Sequence, residues 1–360
     1  MRTISFKAII TFLLVPTMLV AHDGWKGKYT KEKKINKSYN VSSDAMLEVD
    51  NSYGHLYVTT WDENRIEIEV HIKTNGNNEE KVQRKLDEID VKFQASSGLV
   101  SAETTFNKDG KTWWKSWKNN NVNMQINYTI KMPVTGKVDL DNDYGSINLD
   151  RLEGRAKISC DYGKLDIGQL MADNNELRFD YTSNSIIDYI KSGKIYADYS
   201  SYTVEKAGSL NIVADYTKSK VEEMENLEYR CDYGKIEVGQ AQNVSGTGDY
   251  LTSRMGTVNG NVEITSDYGS IRIERMSASA GNIEINAEYA GIKIGHDPSY
   301  HFTFEVDLEY AGLSDNDDFE YNIKRIDGSD KYYKGYYGSE NSGNKVNISS
   351  EYGGVNIYKN

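Results

Sequence analysis

Residues 195–238 read IYADYSSYTVEKAGSLNIVADYTKSKVEEMENLEYRCDYGKIEV, and three times in that stretch an aspartate stands directly before a tyrosine: Asp198-Tyr199, Asp215-Tyr216 and Asp232-Tyr233. Ahead of each pair, apolar or small residues alternate with polar ones, the period of a half-buried strand. Behind it the alternation resumes one residue out of step, as in Ile236 and Val238 after Tyr233, and such a slip marks a corner. The same pair recurs in both directions. From Tyr144 the ladder runs Tyr162, Tyr181, Tyr199, Tyr216, Tyr233, Tyr250, Tyr268, Tyr289 and Tyr310 at intervals of 17 to 21 residues, then Tyr352 after a longer insert, with Asp or Glu before every one. A fixed period near 18 residues is the mark of a solenoid, whose coils bury their apolar faces only against neighbouring coils.

Aligning the repeats on the tyrosine predicts what each coil does. Val262, Ile264 and Ser266 precede Tyr268; Ala156, Ile158 and Cys160 precede Tyr162. On this parity the tyrosine points inward with them, into an internal aromatic ladder, and the acid before it faces out. Gly145, Gly163, Gly234, Gly269 and Gly353 follow the tyrosine at a corner that needs positive φ or close packing. A second corner lies about nine residues before each tyrosine, at glycines such as Gly136, Gly154, Gly193, Gly208 and Gly281, giving two or three short strands per coil. The fold expected is all-β, a parallel β-solenoid with coils of about 18 residues and one short N-terminal capping helix.

Residues 1–21 read as a signal peptide: Arg2 and Lys7, then the apolar run Ala8 to Ala21. Cleavage after Ala21 is expected, a retained membrane anchor being the alternative. Residues 22–135 hold a first coil at Asn51-Ser-Tyr-Gly54, a helix from Glu79 to Ile89 that caps the solenoid end, and further strands. Residues 136–360 are the repeat body. Trp113, Trp114 and Trp117, set among lysines, are the candidate contact patch, since exposed tryptophans suit glycan or protein contacts. Ser314 to Lys345 reads as a long surface loop.

The formal charge is −12, so a phosphate backbone is repelled and nucleic acid is excluded as a partner. Beyond residue 21 no apolar run approaches the ~20 residues that span a bilayer. Cys160 and Cys231 occupy equivalent positions four coils apart, roughly 19 Å at the strand spacing, whereas a disulfide needs Cα atoms within about 7 Å. Two free, buried thiols follow.

The leader, the opening strands from Leu47 to Val70 with Trp61-Asp-Glu-Asn64, the helix after them and the repeated Asp-Tyr-Gly corners together resemble the putative-adhesin domain family of bacterial envelope proteins. The resemblance spans nearly the whole mature chain. It implies a right-handed β-helix-like solenoid, an extracytoplasmic location and no catalytic residues.

A column of outward acids about 5 Å apart repels itself. The simplest relief is an Asx-turn, each carboxylate accepting from its own corner's backbone, with Lys164, Lys218 and Lys235 nearby. The alternative is calcium at Asp161, Asp198, Asp215, Asp232 and Asp267, although the calcium nonapeptide and the EF-hand loop are both missing; no other cofactor is expected. Paired acids also perform glycosidase or lyase chemistry, but here the acids are the consensus of the repeat rather than a local break in it. His55, His71, His296 and His301 lack metal-ligand spacing and read as surface residues. The sequence therefore points to a non-enzymatic, monomeric, adhesin-like envelope protein that binds protein or glycan. A periplasmic envelope scaffold and a polysaccharide-acting enzyme are the alternatives.

Overall fold

Alternation of buried and exposed residues runs through almost every strand, and stacking of that alternation between coils builds the core. The computed structural model describes residues 25–106, 121–314 and 318–360. Two compact units form, Met1–Ala172 and Asp173–Asn360.

In the first unit the strands are β1 (Tyr29–Asn40), β2 (Met46–Ser52), β3 (Leu56–Trp61), β4 (Arg65–Gly76), β5 (Ile89–Ala95), β6 (Leu99–Phe106), β7 (Val122–Pro133), β8 (Lys137–Asp143), β9 (Ser146–Leu152), β10 (Ala156–Asp161) and β11 (Lys164–Leu170), with α1 (Glu79–Asp87) after β4. Two ribbons result. One runs β1-β4-β7-β3-β9-β11, antiparallel at its start and parallel from β7 onward. The other runs β5-β6-β2-β8-β10, with β5 and β6 as an antiparallel hairpin. The expected helix is present but ends at Asp87, and Ile89 opens β5 instead. Asn78 caps it by accepting the Lys81 amide at 3.0 Å, and the helix buries Val82 and Leu86 while packing mainly on β4 and β1. A side-chain cap of this kind contributes about 1 kcal/mol.

The second unit holds β12 (Asn175–Asp180), β13 (Ser185–Asp198), β14 (Ser201–Asp215), β15 (Lys218–Asp232), β16 (Lys235–Asp249), β17 (Thr252–Val258), β18 (Val262–Met276), β19 (Ile283–His296), β20 (Phe302–Glu309), β21 (Phe319–Asp327), β22 (Asp330–Tyr337), β23 (Lys345–Glu351) and β24 (Val355–Lys359). From β12 to β19 each coil lies in parallel register on the last. Stacked identical positions make continuous apolar columns. Val204, Val221, Val238, Met255, Ile273, Ile294 and Ile357 form one, every member buried. Each such side chain is worth about 1.5–3 kcal/mol in burial. A neighbouring column contains Tyr229 beside Gly246, where a Cβ on Gly246 would sit 2.1 Å from the Tyr229 ring. The missing side chain makes room for the large one, and the Tyr229 hydroxyl meets Ser253 Oγ at 3.1 Å.

The far end departs from the expected order. β23 lies between β19 and β20, parallel to both, and β24 continues along β19. The coil that is last in sequence is therefore inserted between two that are consecutive. The segment read as a long loop, Ser314 to Lys345, contains the antiparallel hairpin β21–β22, with β22 paired to β20.

Candidate functional site

The corner residue is the tyrosine itself. All twelve tyrosines of the ladder, Tyr53 included, have φ between 50° and 66°, the left-handed region that costs an L-residue about 1–2 kcal/mol. Of the two reasons the sequence offered for the following glycine, positive φ or close packing, the structure shows close packing, and the positive φ belongs to the tyrosine. A Cβ on Gly145 would lie 1.6 Å from the Gly54 carbonyl oxygen, and one on Gly163 would lie 1.8 Å from that of Gly145. Where the next residue has a side chain it turns inward, as Thr182, Ser200, Thr217 and Leu251 do, all buried. The left-handed step thus places acid and tyrosine consecutively outside and reverses the parity after them.

The inward tyrosine expected from sequence is therefore wrong. From Tyr144 onward the ladder rings are 44–58% exposed. They stack flat on one another along the coils. In the first unit Tyr53–Tyr144 and Tyr144–Tyr162 have centroids 5.1 and 5.2 Å apart. In the second, Tyr181, Tyr199, Tyr216, Tyr233, Tyr250, Tyr268, Tyr289, Tyr352 and Tyr310 follow in that spatial order, at 4.6–5.1 Å and within 6° of parallel. Each aromatic pair contributes roughly 0.5–1.5 kcal/mol beyond burial, enough to offset most of the backbone strain. Because neighbouring rings cover each other's faces, the surface presents ring edges and a row of hydroxyls. Burial and the neighbouring phenols raise the pKa of Tyr233, Tyr268 and Tyr352.

Beside the rings run the acids, held between coils rather than within one corner. Asp198 donates its amide to Asp180 Oδ1 at 3.0 Å, Asp215 to Asp198 at 3.1 Å, Asp232 to Asp215 at 3.2 Å and Asp249 to Asp232 at 2.8 Å. This replaces the expected Asx-turn: in a parallel stack the next coil's N–H points at the carboxylate of the one before. Lys235 pairs with Glu237 at 2.7 Å rather than with the row. Burial raises the pKa of Asp215, opposed by the Asp232 amide. In the first unit Asp141 is pushed up to about 6, by burial first and then by Asp143, Asp50, Asp161 and Asp139.

Among the described residues no three His, Cys, Asp or Glu side chains converge as a metal-holding group. Cys160 and Cys231 are free and buried, as expected, and burial pushes both thiols up to about 12. His296 is not a surface residue: it is fully buried against Phe302 and Tyr337, and its Nε2 has no hydrogen-bond partner among the described residues. Trp113, Trp114 and Trp117 lie outside the described residues, as does the leader.

At the start of the first unit's stack, Trp25, Tyr53, Gly54, His55, Met124, Gln125 and Tyr144 line an open cleft of about 240 Å³. His55 Nδ1 faces both the amide and the Oγ of Ser146, at 3.0 and 2.8 Å, which holds the ring in place. Sequence reasoning placed a first coil at Tyr53 but left that residue off the ladder, because Ser52 rather than an acid precedes it. Trp25 carried no pattern at all.

No family model matches the chain and no curated protein is significantly similar to it. Among its structural neighbours are putative adhesins and a putative cell adhesion protein. One is a putative adhesin from Parabacteroides merdae, 12% identical, covering 72% of this chain and 95% of that one with a TM-score of 0.37. A second, from Parabacteroides distasonis, is 10% identical over 91% of this chain and 97% of that one, with a TM-score of 0.33. A putative lipid binding protein from the same organism is 12% identical over 92% and 98%, with a TM-score of 0.29. Likeness of this degree carries no argument about a ligand or an activity.

Proposed function

We propose that the protein is an exported, non-enzymatic, adhesin-like component of the cell envelope that binds protein or glycan through its tyrosine and carboxylate face. The observation that supports this reading most is the exposure of a whole row of stacked rings. A tyrosine fixed by its neighbours loses little conformational entropy on binding, which is why rigid tyrosines are favoured at contact surfaces. A contiguous exposed aromatic strip on a soluble surface is itself a sign of contact. Hydroxyls repeat along the strip and can both donate and accept, while the acids beside them select against anionic targets. Trp113, Trp114 and Trp117 are a second contact element of the same proposal.

The test is binding of labelled protein to a glycan array and to whole cells, comparing the natural chain with a Tyr199→Ser/Tyr216→Ser/Tyr233→Ser variant of matched circular dichroism. Loss of signal by tenfold or more is expected. Equal binding by the two proteins would remove the face from the contact.

A further inference from the structure

In a solenoid each coil is normally laid on the one before it, yet here the space between β19 and β20 is filled by chain that arrives about 40 residues later. Until β23 enters, β19 and β20 each present an unpaired edge to that space, the kind of edge that templates pairing with another chain. The filler is made for it. Val346, Ile348, Ser350, Val355 and Ile357 are all buried within it. Tyr352 is clamped between Tyr289 at 4.6 Å and Tyr310 at 4.9 Å. Its backbone is held from both sides, the Tyr352 amide donating to the Glu309 carbonyl and the Ile292 amide to the Gly354 carbonyl, each at 2.9 Å.

The tether to this element is slack. Residues 338–344, Gly-Ser-Glu-Asn-Ser-Gly-Asn, join β22 to β23, with Gly338 and Gly343 at φ of 74° and 84°. Tyr337 and Lys345 flank β20 at its Phe302–Thr303 end, about two strand spacings or ~10 Å apart. Seven intervening residues reach ~26 Å when extended, far more than the closed path needs.

We propose that the slot between β19 and β20 is a strand-accepting site that takes β23–β24 of a second copy of this chain as well as its own, so that copies join by strand exchange. Every contact made in the exchanged form is one already made within the chain, which makes exchange a low-cost route to assembly. A short tether gives the chain's own strand an effective concentration in the millimolar range. Exchange therefore dominates only where copies are crowded or where the segment has been released.

Asn286 and Ser349 are register partners on β19 and β23, and both are exposed, at a strand spacing that a disulfide can bridge. The experiment uses two full chains of different tag size, one carrying Asn286→Cys and the other Ser349→Cys, with Cys160→Ala and Cys231→Ala in both. Alanine already occupies the equivalent position at Ala197, Ala214 and Ala287. After mixing, denaturation, refolding at high concentration and oxidation, a disulfide-linked mixed dimer is expected on a non-reducing gel, and it is absent when the chains are refolded apart. The control carries both cysteines in one chain and should close within the monomer. Closure in the control without any mixed dimer overturns the proposal, and so does failure of the control to close, because the register itself would then be wrong. As a second variant, deletion of 338–344 leaves one ~3.8 Å step across the ~10 Å gap. By light scattering that chain should be a dimer or larger, and a folded monomer would overturn the proposal.

Discussion

A tyrosine in the left-handed region is held there against its own preference. At Tyr216, φ is 52° and the ring is sandwiched between Tyr199 and Tyr233 at 4.8 and 5.0 Å. Tyr216→Ala removes both stacking contacts and keeps the strain, whereas Tyr216→Gly removes the contacts and the strain together. Glycine is more flexible in the unfolded chain, which takes back about half of the gain. The glycine variant should therefore be more stable than the alanine variant by about 0.5–1 kcal/mol in urea unfolding, with both below the natural chain. An alanine variant equal to or above the glycine one would contradict the strain. Asp141 gives a pH dependence of definite sign. Its pKa in the folded state is raised to about 6, above the ordinary carboxylate value of about 4, so the folded state binds the proton more tightly. That stabilisation is complete below about pH 4 and is lost as pH rises through about 6. Asp141→Asn should flatten this slope and raise the melting temperature at pH 7; an unchanged slope would show that Asp141 does not carry it. The sequence revealed that acid and tyrosine form a unit but put the ring inside, because period-two counting assumes that no residue in the run leaves the β region.

Between elements, the parallel register was legible and the order of the last coils was not. Tyr268 to Tyr289 and Tyr289 to Tyr310 are both 21 residues apart, yet the first pair stacks and the second is separated by Tyr352. Identical spacing cannot report which strand fills the next place when two segments carry the same consensus. The hairpin β21–β22 escaped the pattern for a related reason. The residues of β21 alternate poorly, Ile323 and Ile326 lying exposed, because among the described residues β21 pairs with β22 alone and its register shifts between Tyr321 and Ile323. The helix was legible because Val82 and Leu86 recur at helical spacing on one face. Its end was not, since Ile89 fits the helical spacing equally well and is buried as the first residue of a strand.

For the molecule as a whole, the net charge of −12 disfavours polyanionic partners, and export is part of the proposed function that a direct test of location decides. Protease shaving of intact cells, with a periplasmic protein as the leakage control, should remove the protein if its binding face lies outside. Protection until the envelope is opened would instead favour the periplasmic scaffold. The sequence by itself determined the β-solenoid class, the coil length and the position of the acid–tyrosine corners, because a repeat writes the same local pattern many times and each copy confirms the others. It also determined that the two thiols are buried and unpaired. Only the tertiary structure decided which side of the corner the rings occupy, which coil each carboxylate bonds, and which strand lies between β19 and β20. These depend on the backbone angle at one residue and on contacts between coils, and neither leaves a trace in the spacing of residues along a single chain.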